Sequence, residues 1–430
     1  MKRFLLRIAA LLLILVALFA AWLAWANRNP DLEQASAAPT DAGAQIARGA
    51  YLARIGNCIG CHTARGGAAY AGGLAVPTPF GDIYASNLTP DRANGIGDWN
   101  SDDFWRAMHD GRGRDGRLLY PAFPYTNYTK LTRADSDAIF AYLKTLPPAQ
   151  QPNREPELRF PYDQRALLYV WRALYFRPGQ YVADASKPAA WNRGAYLTQG
   201  LGHCSACHAP RDGFGGTGLR EELGGGMIPM LNWYAPPLNG NQAAGLGGWS
   251  EADLAAFLKN GISSMRAASG PMAEVIHGSL QYLREDDVRA IASYLHSLPQ
   301  QLPPPQATPE RLGKEEKRAI LELGQSLYED RCAGCHRANG TGASGIYPRL
   351  AGNQAVTSPM AVNPIRVVLN GGFPPSTAGN PRPYGMPPFA PTMSDEQVAA
   401  VISYIRNAWG NEAGIVSPAE VNRYRTRQER

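Results

Sequence analysis

From Ile8 to Ala26 the chain carries 19 uncharged, mostly apolar residues behind Lys2, Arg3 and Arg7. As a helix this run spans about 28 Å, close to the ~30 Å hydrocarbon thickness of a bilayer. A signal-peptide core is shorter, about 7–15 residues. Trp22 and Trp25 fall where an interfacial aromatic belt would lie, and the basic start keeps the N-terminus on the cytoplasmic side. Ala24-Trp25-Ala26 also fits a cleavage site. Residues 1–30 are therefore expected as an anchor helix or a cleaved signal, followed by an Ala/Thr/Asp-rich flexible stalk over 31–44.

Beyond the stalk, apolar positions recur at helical spacing rather than in alternation, which predicts an all-α chain. One amphipathic pattern returns three times: Asp135–Leu143, Asp286–Leu295 and Asp395–Ile405, each ending in Tyr-Leu or Tyr-Ile behind an Asp, Thr or Ser that can cap it. A second repeat precedes each at a distance. Arg48-Gly-Ala-Tyr-Leu52 and Arg193-Gly-Ala-Tyr-Leu197 match closely, and Leu323-Gly-Gln-Ser-Leu-Tyr328 is a looser version. The period, roughly 130–145 residues, is that of separate domains rather than a solenoid.

The expected boundaries are 45–147, 188–299 and 313–411 for the three domains, with a tail over 412–430. A linker over 148–187 contains Tyr162–Phe176, an apolar helix that packs on its own domains or docks a partner subunit. Residues 300–312 form a proline-rich spacer, semi-rigid rather than floppy.

Forty-five glycines and 35 prolines imply short helices joined by long irregular loops. The formal charge of +6 includes the three cations before the apolar run. With no Lys/Arg cluster and no recognised motif, nucleic acid is not an expected partner.

The six cysteines supply the chemistry. All fall in Cys58-Ile-Gly-Cys61-His62, Cys204-Ser-Ala-Cys207-His208 and Cys332-Ala-Gly-Cys335-His336, three copies of C-x-x-C-H. Thiols three residues apart share one face of a helical turn, where each can form a thioether with a haem vinyl group. The adjacent histidine then offers its imidazole to the iron as proximal ligand. Zinc would need four ligands, and no second C-x-x-C lies near any copy. The reading is three covalent c-type haems, in three tandem class I cytochrome c domains. Such haems are attached outside the bacterial inner membrane, which assigns the domains to its periplasmic side.

A methionine in the loop before each closing helix is the expected sixth ligand. Met386 in Tyr384-Gly-Met-Pro-Pro-Phe389 fits in the third domain and Met272 in Gly270-Pro-Met-Ala-Glu274 in the second, with Met393 and Met265 in reserve. The first domain has Phe123 in that place, and phenylalanine cannot bind iron. Met108 or His109, from the segment Phe104–His109, could ligate haem 1; otherwise its iron is open or water-bound.

Further stretches carry a family resemblance: Pro79-Phe-Gly-Asp-Ile-Tyr-Ala-Ser-Asn-Leu-Thr-Pro90, Leu119-Tyr-Pro-Ala-Phe-Pro-Tyr125, Gly200–His208, Trp233-Tyr-Ala-Pro236 and Tyr404–Asn411. With the repeats above, the chain from Arg48 to Asn411 resembles the triple-haem cytochrome c subunits of bacterial membrane-bound dehydrogenases acting on alcohol, gluconate, sorbitol or aldehydes. The resemblance implies electron transfer from a large catalytic subunit, carrying quinone, flavin or molybdenum cofactor, through three haems toward ubiquinone. It implies no substrate-oxidising site here, and no nucleotide, hydrolase or zinc-protease motif occurs in the sequence. Two alternatives are a free-standing electron carrier to an oxidase, and a haem enzyme using an open haem 1. Many members have methionine where this chain has Phe123.

Overall fold

The computed structural model describes residues 1–28, 41–217, 223–241, 244–299 and 312–425. Most of the expected stalk and all but one residue of the proline-rich spacer lie outside the described residues.

Two compact units are present. The first comprises Met1–Ala53, Cys58–Val182 and Arg211–Arg220. It opens with α1 (Lys2–Ala26), the one described helix long and apolar enough to cross a membrane, with no buried residue in it. After α2 (Ala42–Ile55) and the one-turn α3 (Cys58–Cys61) come β1 (Ala75–Thr78) and β2 (Gly81–Tyr84). Next are α4 (Ser101–Asp110), α5 (Tyr125–Tyr128) and α6 (Arg133–Leu143). The linker region follows, with β3 (Glu157–Leu158) pairing antiparallel to β2, then α7 (Leu167–Tyr175). α4 starts on a capping box between Asn100 and Asp103, and α6 on Thr132, so both begin where a short polar side chain satisfies the first free amides.

The second unit comprises Arg54–Asn57, Ala183–Pro210 and Glu221–Arg430. It contains α8 (Ala189–Gln199), α9 (Ser205–His208), the hairpin β4–β5 (Gly226–Ile228, Trp233–Ala235), α10 (Glu251–Asn260), α11 (Pro271–Gly278) and α12 (Glu285–His296). The third haem motif follows in α13 (Lys314–Arg331) and α14 (Ala333–His336), then α15 (Gln354–Thr357), α16 (Val362–Asn370), α17 (Asp395–Asn407) and α18 (Pro418–Arg425). The short strands carry no alternating apolar signal, which is why the periodicity missed them.

In each domain the helix before the haem motif crosses the closing helix at a glycine. A Cβ on Gly49, Gly194 or Gly324 would sit 1.8, 1.9 or 2.1 Å from the carbonyl oxygen of Ala138, Ala290 or Ala400. The backbones are in contact there, and no other residue type fits without separating the helices. Two of the crossings carry a charge clamp. Arg48 Nε donates to Asp135 at 2.7 Å, and Arg193 Nε to Asp287 at 2.8 Å. The third has Leu323 in the arginine's place and Gln397, engaged in a capping box with Ser394, at the head of its closing helix.

The second and third haem domains share the second unit through paired polar contacts. Asn363 accepts from the Tyr234 amide at 2.9 Å and donates to its carbonyl at 2.7 Å. Arg266 donates to Gln354 at 2.9 Å. The core of the third domain gathers Tyr328, Ile365, Leu369, Met393, Val398, Ile402 and Ile405. Part of the expected tail joins it, since α18 buries Val421 and Tyr424 in the same cluster.

Candidate haem sites

Each C-x-x-C-H motif makes a single helical turn closed by the histidine amide. It donates to the first cysteine's carbonyl at 2.9 Å (His62 to Cys58), 2.9 Å (His208 to Cys204) and 3.0 Å (His336 to Cys332). All six cysteines are free thiols. Burial, with the neighbouring cysteine's charge adding to it, pushes Cys58 and Cys204 up to about 12. Burial likewise lifts Cys332 to about 11. Thiols held this far from ionisation are poor redox or metal-binding thiolates. Among the described residues no three His, Cys, Asp or Glu side chains converge to chelate a metal ion. The donor set suits a group that takes two thioethers and one imidazole.

The histidines are oriented alike. His62 Nδ1 donates to the Ser86 carbonyl at 2.7 Å, His208 Nδ1 to Pro236 at 2.7 Å, and His336 Nδ1 to Pro348 at 3.0 Å. A ring with its Nδ1 proton committed to a carbonyl presents a bare Nε2, the tautomer an iron ligand needs. Burial lowers all three imidazole pKa values, opposed by these carbonyls, so the rings stay neutral.

A glycine holds each clamp together. Gly72, Gly225 and Gly342 donate their amides to the carbonyls of His62, His208 and His336, at 2.8, 2.8 and 3.0 Å. All three have φ between 66° and 80°. A Cβ there would meet Ser86 C at 2.5 Å, Pro237 N at 2.7 Å or Pro348 O at 2.7 Å, the segments that carry the accepting carbonyls. This supporting layer of glycines and carbonyls is not among the residues that the motif spacing singles out. The glycines lie ten, 17 and six residues after their histidines, so no common spacing marks them.

The expected distal residues sit as follows. Met386 is half-buried in a two-way backbone bridge with Gly372, its amide donating at 2.8 Å and its carbonyl accepting at 3.0 Å. Met393 is buried in the core of the third domain. Met272 is half-buried in the first turn of α11, and the Met265 sulfur accepts from Arg349 Nη1 at 3.5 Å. In the first domain Phe123 lies 5.3 Å, ring to ring, from Tyr128. Burial raises the Tyr128 phenol well above its ordinary value, with Cys58 and Cys61 adding to the shift. Met108 is buried on α4, and His109 stacks on Trp105 at 4.4 Å.

A family model of cytochrome c matches residues 46–147, 192–299 and 321–409. The cytochrome c subunit of a quinone-dependent alcohol dehydrogenase from Gluconacetobacter polyoxogenes is 38% identical over 399 residues, covering 89% of this chain and 84% of that one. The gluconate 2-dehydrogenase cytochrome c subunit of Pantoea cypripedii is 38% identical over 392 residues, covering 86% and 87%. The fructose dehydrogenase cytochrome subunit of Gluconobacter japonicus is 35% identical over 415 residues, covering 90% and 84%. Three matched segments, each containing one histidine clamp on a one-turn attachment helix, make this chain a member of the cytochrome c family with three such domains in tandem.

Proposed function

We propose that this chain is the electron-transfer subunit of a membrane-bound dehydrogenase. It takes electrons from a large catalytic subunit and delivers them toward ubiquinone, on the periplasmic side of the bacterial inner membrane. The observation that carries the reading is the threefold histidine clamp, the same donor geometry built three times on one chain. The relatives named as subunits of alcohol, gluconate and fructose dehydrogenases support the partner class without fixing its substrate.

Each bound haem c would supply a one-electron iron couple. Cys58 and Cys61, Cys204 and Cys207, and Cys332 and Cys335 hold the three covalently. His62, His208 and His336 orient as proximal ligands, Met272 and Met386 as distal ones, and Met108 is preferred over His109 at haem 1. The preference rests on the stacking of His109 against Trp105, which holds its ring on α4.

Retention of α1 as the anchor is supported by Asn27, the residue a cleavage after Ala26 would leave at the N-terminus. It is buried, its Nδ2 donates to the Tyr169 carbonyl at 2.9 Å, and its Oδ1 accepts from Arg172 at 3.2 Å. Its own carbonyl accepts from Arg112 at 2.8 Å. The test is gentle detergent extraction of the haem-stained membrane complex, with mass spectrometry of what co-purifies. A large dehydrogenase subunit is expected. A lone triple-haem chain from cells with dehydrogenase activity would overturn the reading.

A further inference from the structure

The helix α7 in the linker region leaves an apolar face open opposite the one it buries. Leu168, Arg172, Ala173 and Phe176 turn inward. On the other side Leu167, Val170 and Leu174 recur at i, i+3 and i+7, with Leu167 44% and Leu174 48% exposed, while Trp171 at the edge of this stripe is half-buried and donates its Nε1 to the Phe214 carbonyl at 3.1 Å. Phe160, 80% exposed, extends the same segment on its N-terminal side. An apolar stripe of this length at the surface marks a contact with something apolar.

The occupant is indicated by what α7 holds. Its Tyr169 carbonyl and Arg172 side chain grip Asn27, the residue that ends α1. As a span, the apolar part of α1 is about 28 Å long against ~30 Å of hydrocarbon. Asn27 then lies at the outer edge of that layer, where Trp22 and Trp25 form the aromatic belt. α7 is within one hydrogen bond of that level. Interfacial helices lie with their apolar face roughly 5–10 Å deep at the boundary of headgroups and acyl chains. Arg28, Arg159 and Arg177 are exposed around it, cations suited to anionic headgroups.

We propose that α7 lies in the outer leaflet of the bilayer, with Leu167, Val170 and Leu174 as the lipid-facing stripe and Asn27 as its tie to the span. This rests on the reading of α1 as a retained anchor. It gives the first haem domain a second membrane contact and so restricts its rotation about the α1 axis.

The test uses full-length holoprotein in phosphatidylglycerol-containing liposomes, carrying a nitroxide at Leu174→Cys and, separately, at Leu167→Cys. With the native cysteines in thioethers, the new thiol is the only one to label. Intact mass reports independently whether α1 is retained. At both positions the label should relax at least threefold more strongly with oxygen than with a water-soluble nickel chelate. Equal or greater accessibility to the chelate with α1 present would overturn the proposal and leave the anchor standing. So would protection that appears only when a dehydrogenase subunit is added, since a protein would then cover the stripe. A cleaved chain with a lipid-buried label would end the anchor reading and uphold the α7 contact; a cleaved chain with an exposed label would end both.

Discussion

Gly194 and Ala290 meet backbone to backbone: a Cβ on the glycine would stand 1.9 Å from the alanine carbonyl oxygen and 2.9 Å from Tyr294 Cβ. The same relationship recurs at Gly49 with Ala138 and at Gly324 with Ala400. It locks the helix that leads into the haem motif against the helix that closes the domain. The position of each attachment turn therefore depends on one missing methyl group.

Gly194→Ala should cost about 3 kcal/mol or more, because a close-packed crossing can admit the methyl only by moving apart. The second domain should lose cooperative melting while the first keeps its own. Gly213→Ala, whose added Cβ meets nothing within 4 Å, should leave the melting curve unchanged. Calorimetry of the three proteins checks this, and an unchanged curve for Gly194→Ala would refute the crossing.

The crossing is also the part of the fold that the sequence made readable. Arg48-Gly-Ala-Tyr and Arg193-Gly-Ala-Tyr stood out as repeats because the arginine, the glycine and the closing helix's aspartate all serve one contact. The histidine clamps did not stand out. Ser86, Pro236 and Pro348 stand 24, 28 and 12 positions after their histidines, and backbone carbonyls leave no trace in residue identity. The Asn27–α7 contact was equally hidden, since it joins residues 142 positions apart by a side chain and a main-chain oxygen. Fold class and the C-x-x-C-H motifs are local patterns; the carbonyls that orient the motif histidines come from segments distant along the chain.

Gly225→Ala probes that layer. Its φ of 80° strains any residue with a Cβ, and the methyl would press on Pro237. The Pro236 carbonyl should then withdraw from His208 Nδ1. A less basic imidazole stabilises ferric iron less, so the potential of haem 2 should rise. Losing a hydrogen bond of about 1 kcal/mol corresponds to roughly 40 mV for one electron. A spectroelectrochemical titration should show one of three waves moving up and the other two fixed.

The two methionines of the third domain should separate cleanly. Met386→Leu should lower the potential of haem 3 and remove one methionine–iron charge-transfer band, with the covalent haem retained. Met393→Leu, a volume-conserving change inside the core, should cost less than about 1.5 kcal/mol of stability and leave that band intact. The opposite pattern in the near-infrared would transfer the ligand role to Met393.

At haem 1 the expectation is a methionine ligand from α4. The native protein should give charge-transfer intensity for three methionine-ligated haems, falling to two in Met108→Leu, which should also begin to bind carbon monoxide when reduced. His109→Gln should change neither. Carbon monoxide binding by the native reduced protein at neutral pH would mean that haem 1 has an open iron. Phe123→Met should then abolish it.

The contact between α17 and α18 should respond to acid. Asp395 caps nothing itself but receives Arg425 Nε at 2.6 Å and Asn422 Nδ2 at 2.8 Å, while Arg425 also donates to the carbonyls of Ala390 and Met393. Burial raises the Asp395 carboxyl, and the bonds from Arg425 and Asn422 outweigh it, so the folded value lies below the ordinary one. A carboxyl depressed by folding binds fewer protons folded than unfolded. Its stabilisation is therefore complete above the unfolded value, near pH 4, and is lost as the pH falls through the folded value. Between pH 7 and pH 5 the helix should stay docked and resist carboxypeptidase. Below pH 4 it should release, exposing Val421 and Tyr424. Asp395→Asn should loosen it by about 2 kcal/mol at pH 7, the scale of a charged hydrogen bond, and should flatten the pH dependence. A C-terminus equally protected at pH 3 and pH 7 would show that the apolar contacts of Val421 and Tyr424 hold α18 without the ion pair.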